Sequence, residues 1–221
     1  MKSERFVSCF KKDYDCLSSF FILCVMKILI KNQKLDRALP LMLTPCWTEA
    51  ENVQASVRLS WQENRLFVAF SVCEPQLRRM VQEHNQRVWE DSCVEVFLKR
   101  EDSDEYINVE CSASGSLLIA KGSQRSGRKP FDHSVVESVP VKITILENNN
   151  KQSRWKAELE LDLIMLTILK EEESLPEISL FGNCYCCGDL LDEPHYLCAS
   201  EIGTLNPDFH TPEYFVPLEF A

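Results

Sequence analysis

Apolar and polar residues alternate with a period of two along most of this chain. Val57, Leu59 and Trp61 alternate with Ser56, Arg58 and Ser60, and beyond the polar turn Gln62-Glu63-Asn64 the alternation resumes at Leu66, Val68, Phe70 and Val72. Successive side chains of a strand point to opposite faces, so this segment predicts a hairpin with one buried face. Trp155, Ala157, Leu159 and Leu161 alternate with Lys156, Glu158, Glu160 and Asp162, which again gives one wet face and one dry face. The same reading predicts strands over 93–98, 106–112, 117–121, 141–147, 177–187 and 215–220. Turn residues punctuate them at Arg100–Asp104, Ser114-Gly115 and Asn148–Lys151. Only Leu163–Lys170 reads as helical, and briefly. About nine or ten short strands with very little helix predict an all-β fold, an antiparallel β-sandwich of two sheets, immunoglobulin- or jelly-roll-like.

A length of 221 residues fits one domain with a short extension. The expected division is residues 1–30 as an N-terminal extension and 31–221 as the sandwich. Leu17–Met26 is apolar but only about half as long as a bilayer span. Glu4, Asp13 and Asp15 spoil the basic region of a signal peptide. The first thirty residues therefore read as an edge strand, or as a mis-assigned start with translation beginning at Met26.

Charge and cysteine content narrow the function. The chain carries 24 basic and 34 acidic residues, a net −10, which opposes phosphate binding and argues against a nucleic-acid partner. Lys121, Arg125, Arg128 and Lys129 form the one basic cluster, and no aromatic platform interleaves it, so it reads as a solvated loop. Residues 123–130 read as the most mobile segment. Eleven scattered cysteines, many inside apolar runs, read as reduced, buried thiols, which favours the cytoplasm.

Two segments carry candidate chemistry. In Trp89–Phe97 a Trp with polar flanks runs into a strand that places Glu95 at its centre. Glu is disfavoured inside strands, and one retained there needs a partner or ligand. Glu95 shares its face with Cys93 and Phe97. If the next strand pairs with this one, Asn108 and Glu110 join Glu95 in one polar patch. A ring and a carboxylate so placed suit a sugar, whose C–H face stacks on the ring while its hydroxyls donate to the carboxylate. A pair such as Glu95 and Glu110 could instead hydrolyse a glycosidic bond. The second segment, Asp208–Phe215, reads equally as a closure of the sandwich or as the second wall of a site. Cys184, Cys186 and Cys187 with His195 and Cys198 invite a zinc reading, but strand alternation sends Cys187 to the face opposite Cys184 and Cys186. No metal is expected there. A thiol nucleophile, Cys187 or Cys198 with His195, lacks an oxyanion-hole signature.

Taken together, these segments resemble the family 9 carbohydrate-binding modules, and more closely a bacterial family 9-like group. The resemblance runs from about Leu39 to the C-terminus. It rests on Trp47, Leu66–Phe70, Val88–Phe97, Tyr106–Glu110, Gly115, Trp155, Asn183–Tyr185, Cys187–Asp189, Pro194–Leu197 and Asn206–Phe215. It implies a non-catalytic β-sandwich in carbohydrate catabolism that binds a mono- or oligosaccharide, with a glycoside hydrolase as partner. Two rings would sandwich a terminal sugar, Trp89 as the first and Phe209 as the second, with Glu95 as the carboxylate and Asn108 near a polar contact. No cofactor is implied beyond the structural calcium that some members hold. The chain departs from the group's pattern at Cys198-Ala199, where a Trp is usual, at Val216, where a Gly is usual, and at Phe209, where sugar binders carry Trp. These losses imply an alternative in which the sandwich serves protein interaction. Glycan binding implies export, against the cytoplasm that the thiols favour.

Overall fold

A computed structural model describes residues 26–221, so the expectations for residues 1–25 lie outside the described part. Thirteen strands are present: β1 (Ile28–Asn32), β2 (Leu41–Pro45), β3 (Gln54–Gln62), β4 (Arg65–Glu74), β5 (Cys93–Arg100), β6 (Tyr106–Ser112), β7 (Leu117–Gly122), β8 (Lys129–Pro130), β9 (Val141–Asn148), β10 (Ser153–Asp162), β11 (Leu180–Cys187), β12 (Tyr196–Cys198) and β13 (Val216–Phe220). One short helix, α1 (His133–Ser138), joins them. Among the described residues no helix is long and apolar enough to cross a membrane.

The strands form two sheets of a sandwich. The first runs β8-β7-β6-β5-β11, and the far edge of β11 is shared end to end by β12 and β13. The second runs β2-β3-β4-β10-β9. Two strands stitch the sheets together: β2 pairs with both β12 and β3, and β1 pairs with both β13 and β3. Pairing is antiparallel except at β1, which runs parallel to both of its neighbours. Ile28 and Ile30 of β1 are buried, while the residues between and after them are exposed, so β1 closes one corner of the core.

The predicted period is realised. Val57, Leu59, Leu66, Val68, Phe70, Val72, Trp155, Ala157, Leu159 and Leu161 all point between the sheets. The β3–β4 hairpin turns at Glu63, which takes a left-handed backbone (φ 55°), and the β6–β7 hairpin turns at Gly115 (φ 90°), where a side chain would be strained. Gly182 on β11 is required for another reason: a Cβ there would lie 2.5 Å from the Phe97 carbonyl oxygen of β5.

Three expectations are corrected. Residues 163–170 form turns and no helix, because Asp162 Oδ1 accepts from the backbone N–H of Ile164 and Met165 and Thr167 adopts a positive φ. Asp162 thus starts a turn where apolar spacing alone suggested a helix. Cys46 and Cys198 are joined by a disulfide that links the ends of β2 and β12, so the thiols are not all reduced; Cys73, Cys93, Cys111, Cys184, Cys186 and Cys187 are free. The basic cluster is not uniformly solvated, since Arg128 is mostly buried.

One buried carboxyl lies between the sheets. Glu74, at the end of β4, accepts from Trp155 Nε1 at 2.6 Å, and its Oε2 is 3.4 Å from His195 Nε2. Burial raises Glu74 to about 7 and pushes His195 down, so burial disfavours the charged form of both partners. Because the folded value of Glu74 lies above the unfolded one, the folded chain keeps a proton that the unfolded chain releases. Its contribution to stability therefore falls as pH rises from about 4.5 to about 7. Glu74→Gln keeps the acceptor for Trp155 and removes the titration. Across that window its unfolding free energy, measured by urea denaturation, rises relative to wild type by up to about 3 kcal/mol.

Candidate functional site

The first sheet is covered on both faces. Val94, Val96, Leu98, Ile107, Val109 and Cys111 face the inter-sheet core, while Cys93, Phe97, Tyr106, Leu118, Tyr185 and Cys187 face outward into a second apolar cluster. That outer cluster is roofed by three segments, around Trp47, around Val88-Trp89, and from Ile202 to Phe215. Each is held by specific bonds. Trp47 Nε1 donates to the Thr204 carbonyl at 2.7 Å. Buried Asn183 takes Ser200 from both sides, donating to its carbonyl at 2.8 Å and accepting from its N–H at 2.9 Å. The Trp89 carbonyl accepts from the Asp189 N–H at 3.0 Å, and Asp91, fully buried, accepts from the Val81 N–H and faces Arg78 Nε at 3.3 Å. The acids flanking Trp89 are thus partly structural anchors.

Between these roofs a cleft of about 170 Å3 opens, lined by Trp89, Glu95, Glu110, Cys187, Asp189, Tyr196, Phe209 and His210, with Arg125, Arg128, Pro207 and Asp208 at its edge. The volume equals that of about five or six waters, the scale of a single sugar ring. Trp89, Glu95 and Phe209, which the sequence singled out, therefore meet in one cavity. Asn108 lies behind it. It is fully buried, and its Nδ2 donates to Glu110 Oε1 at 2.9 Å.

The two rings differ in freedom. Phe209 is almost wholly buried and stacks on Tyr185, with centroids 4.1 Å apart and planes 8° from parallel; Trp47 leans on it at 5.7 Å. Trp89 is partly exposed and pairs with no other aromatic ring among the described residues. Its ring lines the cleft and is available for stacking.

The floor is acidic. Glu95 and Glu110 stand directly opposite each other in the β5–β6 register, at 3% and 2% exposure. Burial, then the charge of Glu110, pushes Glu95 well above the ordinary carboxylate range; burial raises Glu110 to about 7 against the opposing pull of Arg128. The Cys187 thiol donates to Glu95 Oε1 at 3.1 Å. Glu110 Oε2 and Arg128 Nη1 are buried without a hydrogen-bond partner, although Arg128 Nη1 approaches Glu110 Oε1 at 3.7 Å. Such groups are costly to bury unsatisfied, and here they line a cavity that a polar ligand could fill. On the wall, burial raises Asp189, opposed by a hydrogen bond from Tyr196. His210 Nδ1 meets Tyr106 Oη at 2.9 Å, and burial and the nearby arginines depress His210 to about 3, so its ring is neutral.

Sequence reasoning gave no site role to Asp189 or Tyr196 and read Arg125 and Arg128 as a solvated loop, while Asp208 and His210 belong to the segment read either as a closure of the sandwich or as a second wall. The arginines were hidden because the β7–β8 loop folds back over the first sheet, bringing Arg125 Nη1 to 3.8 Å from Asp208 Oδ1. A basic pair opposite an acidic strand was the available signal. Cys93 was also missed as a neighbour of Cys187, which it opposes in the β5–β11 register.

The comparisons with known proteins concern the family and the fold. A family model described as carbohydrate-binding family 9 matches residues 27–220. A Bacteroides uniformis protein described as a candidate carbohydrate-binding protein superposes with a TM-score of 0.78 at 25% identity, covering 89% of this chain and 100% of that one. A family 9 carbohydrate-binding module from Caldicellulosiruptor kristjanssonii, solved with cellotriose, superposes with a TM-score of 0.59 at 11% identity, covering 88% of this chain and 93% of that one. The glucose complex from the same organism gives 0.59 at 12% identity, covering 89% and 96%. No curated protein matches the chain.

The difference between the two rings sets their cost. Phe209→Ala removes a buried stacked ring and lowers unfolding stability by about 3 kcal/mol in chemical denaturation, whereas Trp89→Ala lowers it by about 1 kcal/mol.

Proposed function

The chain belongs to carbohydrate-binding family 9, and from that premise we propose that it is a non-catalytic module holding one terminal sugar residue in the cleft between Trp89 and Phe209. The observation that carries the reading is the Trp89 ring, free of aromatic partners and set over a floor of buried, under-satisfied polar groups. The ring stacks on the C–H face of the sugar. Glu95 and Glu110 take its hydroxyls from below, and Asp189 and Arg128 from the sides. Phe209 closes the far wall with the part of its ring that Tyr185 leaves free. Asn108 acts through Glu110, fixing the carboxyl by its 2.9 Å bond rather than touching the sugar. A glycoside hydrolase is the partner that fits such a module.

The size of the cleft favours a mono- or disaccharide end over a long chain. The related modules from Caldicellulosiruptor kristjanssonii, solved with glucose and with cellotriose, supply the first ligands to try.

Calorimetry with glucose, cellobiose and cellotriose, followed by a glycan array, gives weak binding, with Kd in the micromolar to millimolar range, about −4 to −8 kcal/mol. Trp89→Ala weakens it at least about tenfold, the loss of one stacking contact. Binding unchanged in that variant, or no binding to any glycan, refutes the site. Turnover of a chromogenic glycoside that Glu95→Gln abolishes refutes the non-catalytic reading.

A further inference from the structure

The floor of the cleft holds a second donor set, which shares Glu95 with the proposed sugar site and adds two thiols that the sugar does not need. Cys93 and Cys187 face each other across β5 and β11, and Glu95 is two residues along β5 from Cys93 on the same face. All three are buried, and one ligand atom from each, two Sγ and a carboxylate oxygen, lie within 4.8 Å of one another. Cys187 Sγ is already 3.1 Å from Glu95 Oε1. In a tetrahedral zinc site, with Zn–S near 2.3 Å and Zn–O near 2.1 Å, neighbouring donors stand roughly 3.5–3.8 Å apart. The set therefore needs only small rotamer adjustments to close on an ion. Beside it, Glu110 opposes Glu95 in register and leaves Oε2 buried with no partner. Cys187, Glu95 and Glu110 line the cleft, so an ion has a path from solvent.

We propose that Cys93, Glu95 and Cys187 bind a divalent transition metal that prefers thiolate ligands, zinc foremost, with the fourth position facing the cleft wall that carries Glu110. Two thiolates and a carboxylate on one ion match zinc in softness and ligand number, and exclude magnesium and calcium, which take oxygen ligands. On binding, each S–Zn bond replaces an S–H bond and the O–Zn bond replaces any proton on Glu95, and these protons leave to solvent. The ion supplies the positive charge that the acidic floor otherwise receives from Arg128 alone at 13% exposure. Cys184 and Cys186 point to the opposite face of the sheet and take no part. The site does not depend on sugar binding and stands or falls without it.

The test uses the full chain, a non-thiol reductant and metal alone. Dialysis against buffered Zn2+ leaves one equivalent bound through this site, and Co2+ in its place gives thiolate-to-cobalt charge-transfer absorption. Cys93→Ser and Cys187→Ser each weaken zinc binding by about a hundredfold, and Glu95→Gln by about tenfold, while Cys186→Ser, altering a thiol on the other face, leaves it unchanged. Far-ultraviolet circular dichroism checks that the variants fold. X-ray absorption on the wild-type zinc form gives an answer without any variant, counting two sulfur ligands and the remainder oxygen. No charge-transfer band, a sulfur count other than two, or binding that survives the Cys93→Ser/Cys187→Ser double change overturns the proposal.

Discussion

Burial of three polar side chains on the outer face of one sheet organises this protein. Glu95, Asn108 and Glu110 alternate with residues that fill the inter-sheet core, so pleating forces them outward, and outward is also covered. A sheet with one wet face would leave them to solvent. Here the segments carrying Trp47, Trp89 and Phe209 roof that face with aromatic rings, and the carboxyls are stranded beneath. Each must find a partner among its neighbours. Glu95 finds the Cys187 thiol, Glu110 finds Asn108 and approaches Arg128, and what stays unmet opens into the cleft.

The roof and the floor depend on one another. The segment leading to Phe209 is anchored by Asn183, which lies within β11 and holds Ser200 with both ends of its amide. The Trp89 segment is tied to the turn after β11 through Asp189. Strand β11 thus positions both rings while presenting Cys187 to the floor. This explains how a site can be assembled from residues some 120 positions apart. Both halves are tied to β11 or to the turn that follows it.

Long strands with one dry face were legible in the sequence, because period two is a local signal. The hairpin of β3 and β4, and β6 and β10, stand where alternation put them. Strands that escaped notice were short or lacked alternation: β8 is the exposed pair Lys129-Pro130, and β12 is three residues. In the site, Trp89 and Glu95 were legible as residue types out of place for a plain strand or loop, and Phe209 only through the family resemblance. Arg125 and Arg128 were not, since their role follows from where a loop folds back, and spacing along the chain says nothing of that. Asn108 was legible as part of the polar patch, but its depth behind Glu110 was decided by side-chain packing. The Cys93–Cys187 pairing needed the register of β5 against β11, which no single-strand pattern contains.

The parallel strand β1 has a mechanical consequence. It lies beside β13 in register from Ile28 with Leu218 to Ile30 with Phe220, and Asn32 N–H donates to the Ala221 carbonyl just beyond. A force drawing the domain apart by its two ends would pull these strands along their length in opposite directions. The bonds between them would then be loaded together in shear rather than unzipped one at a time. A domain pulled by the two ends of the described chain would resist tension at the corner where its two sheets are sewn.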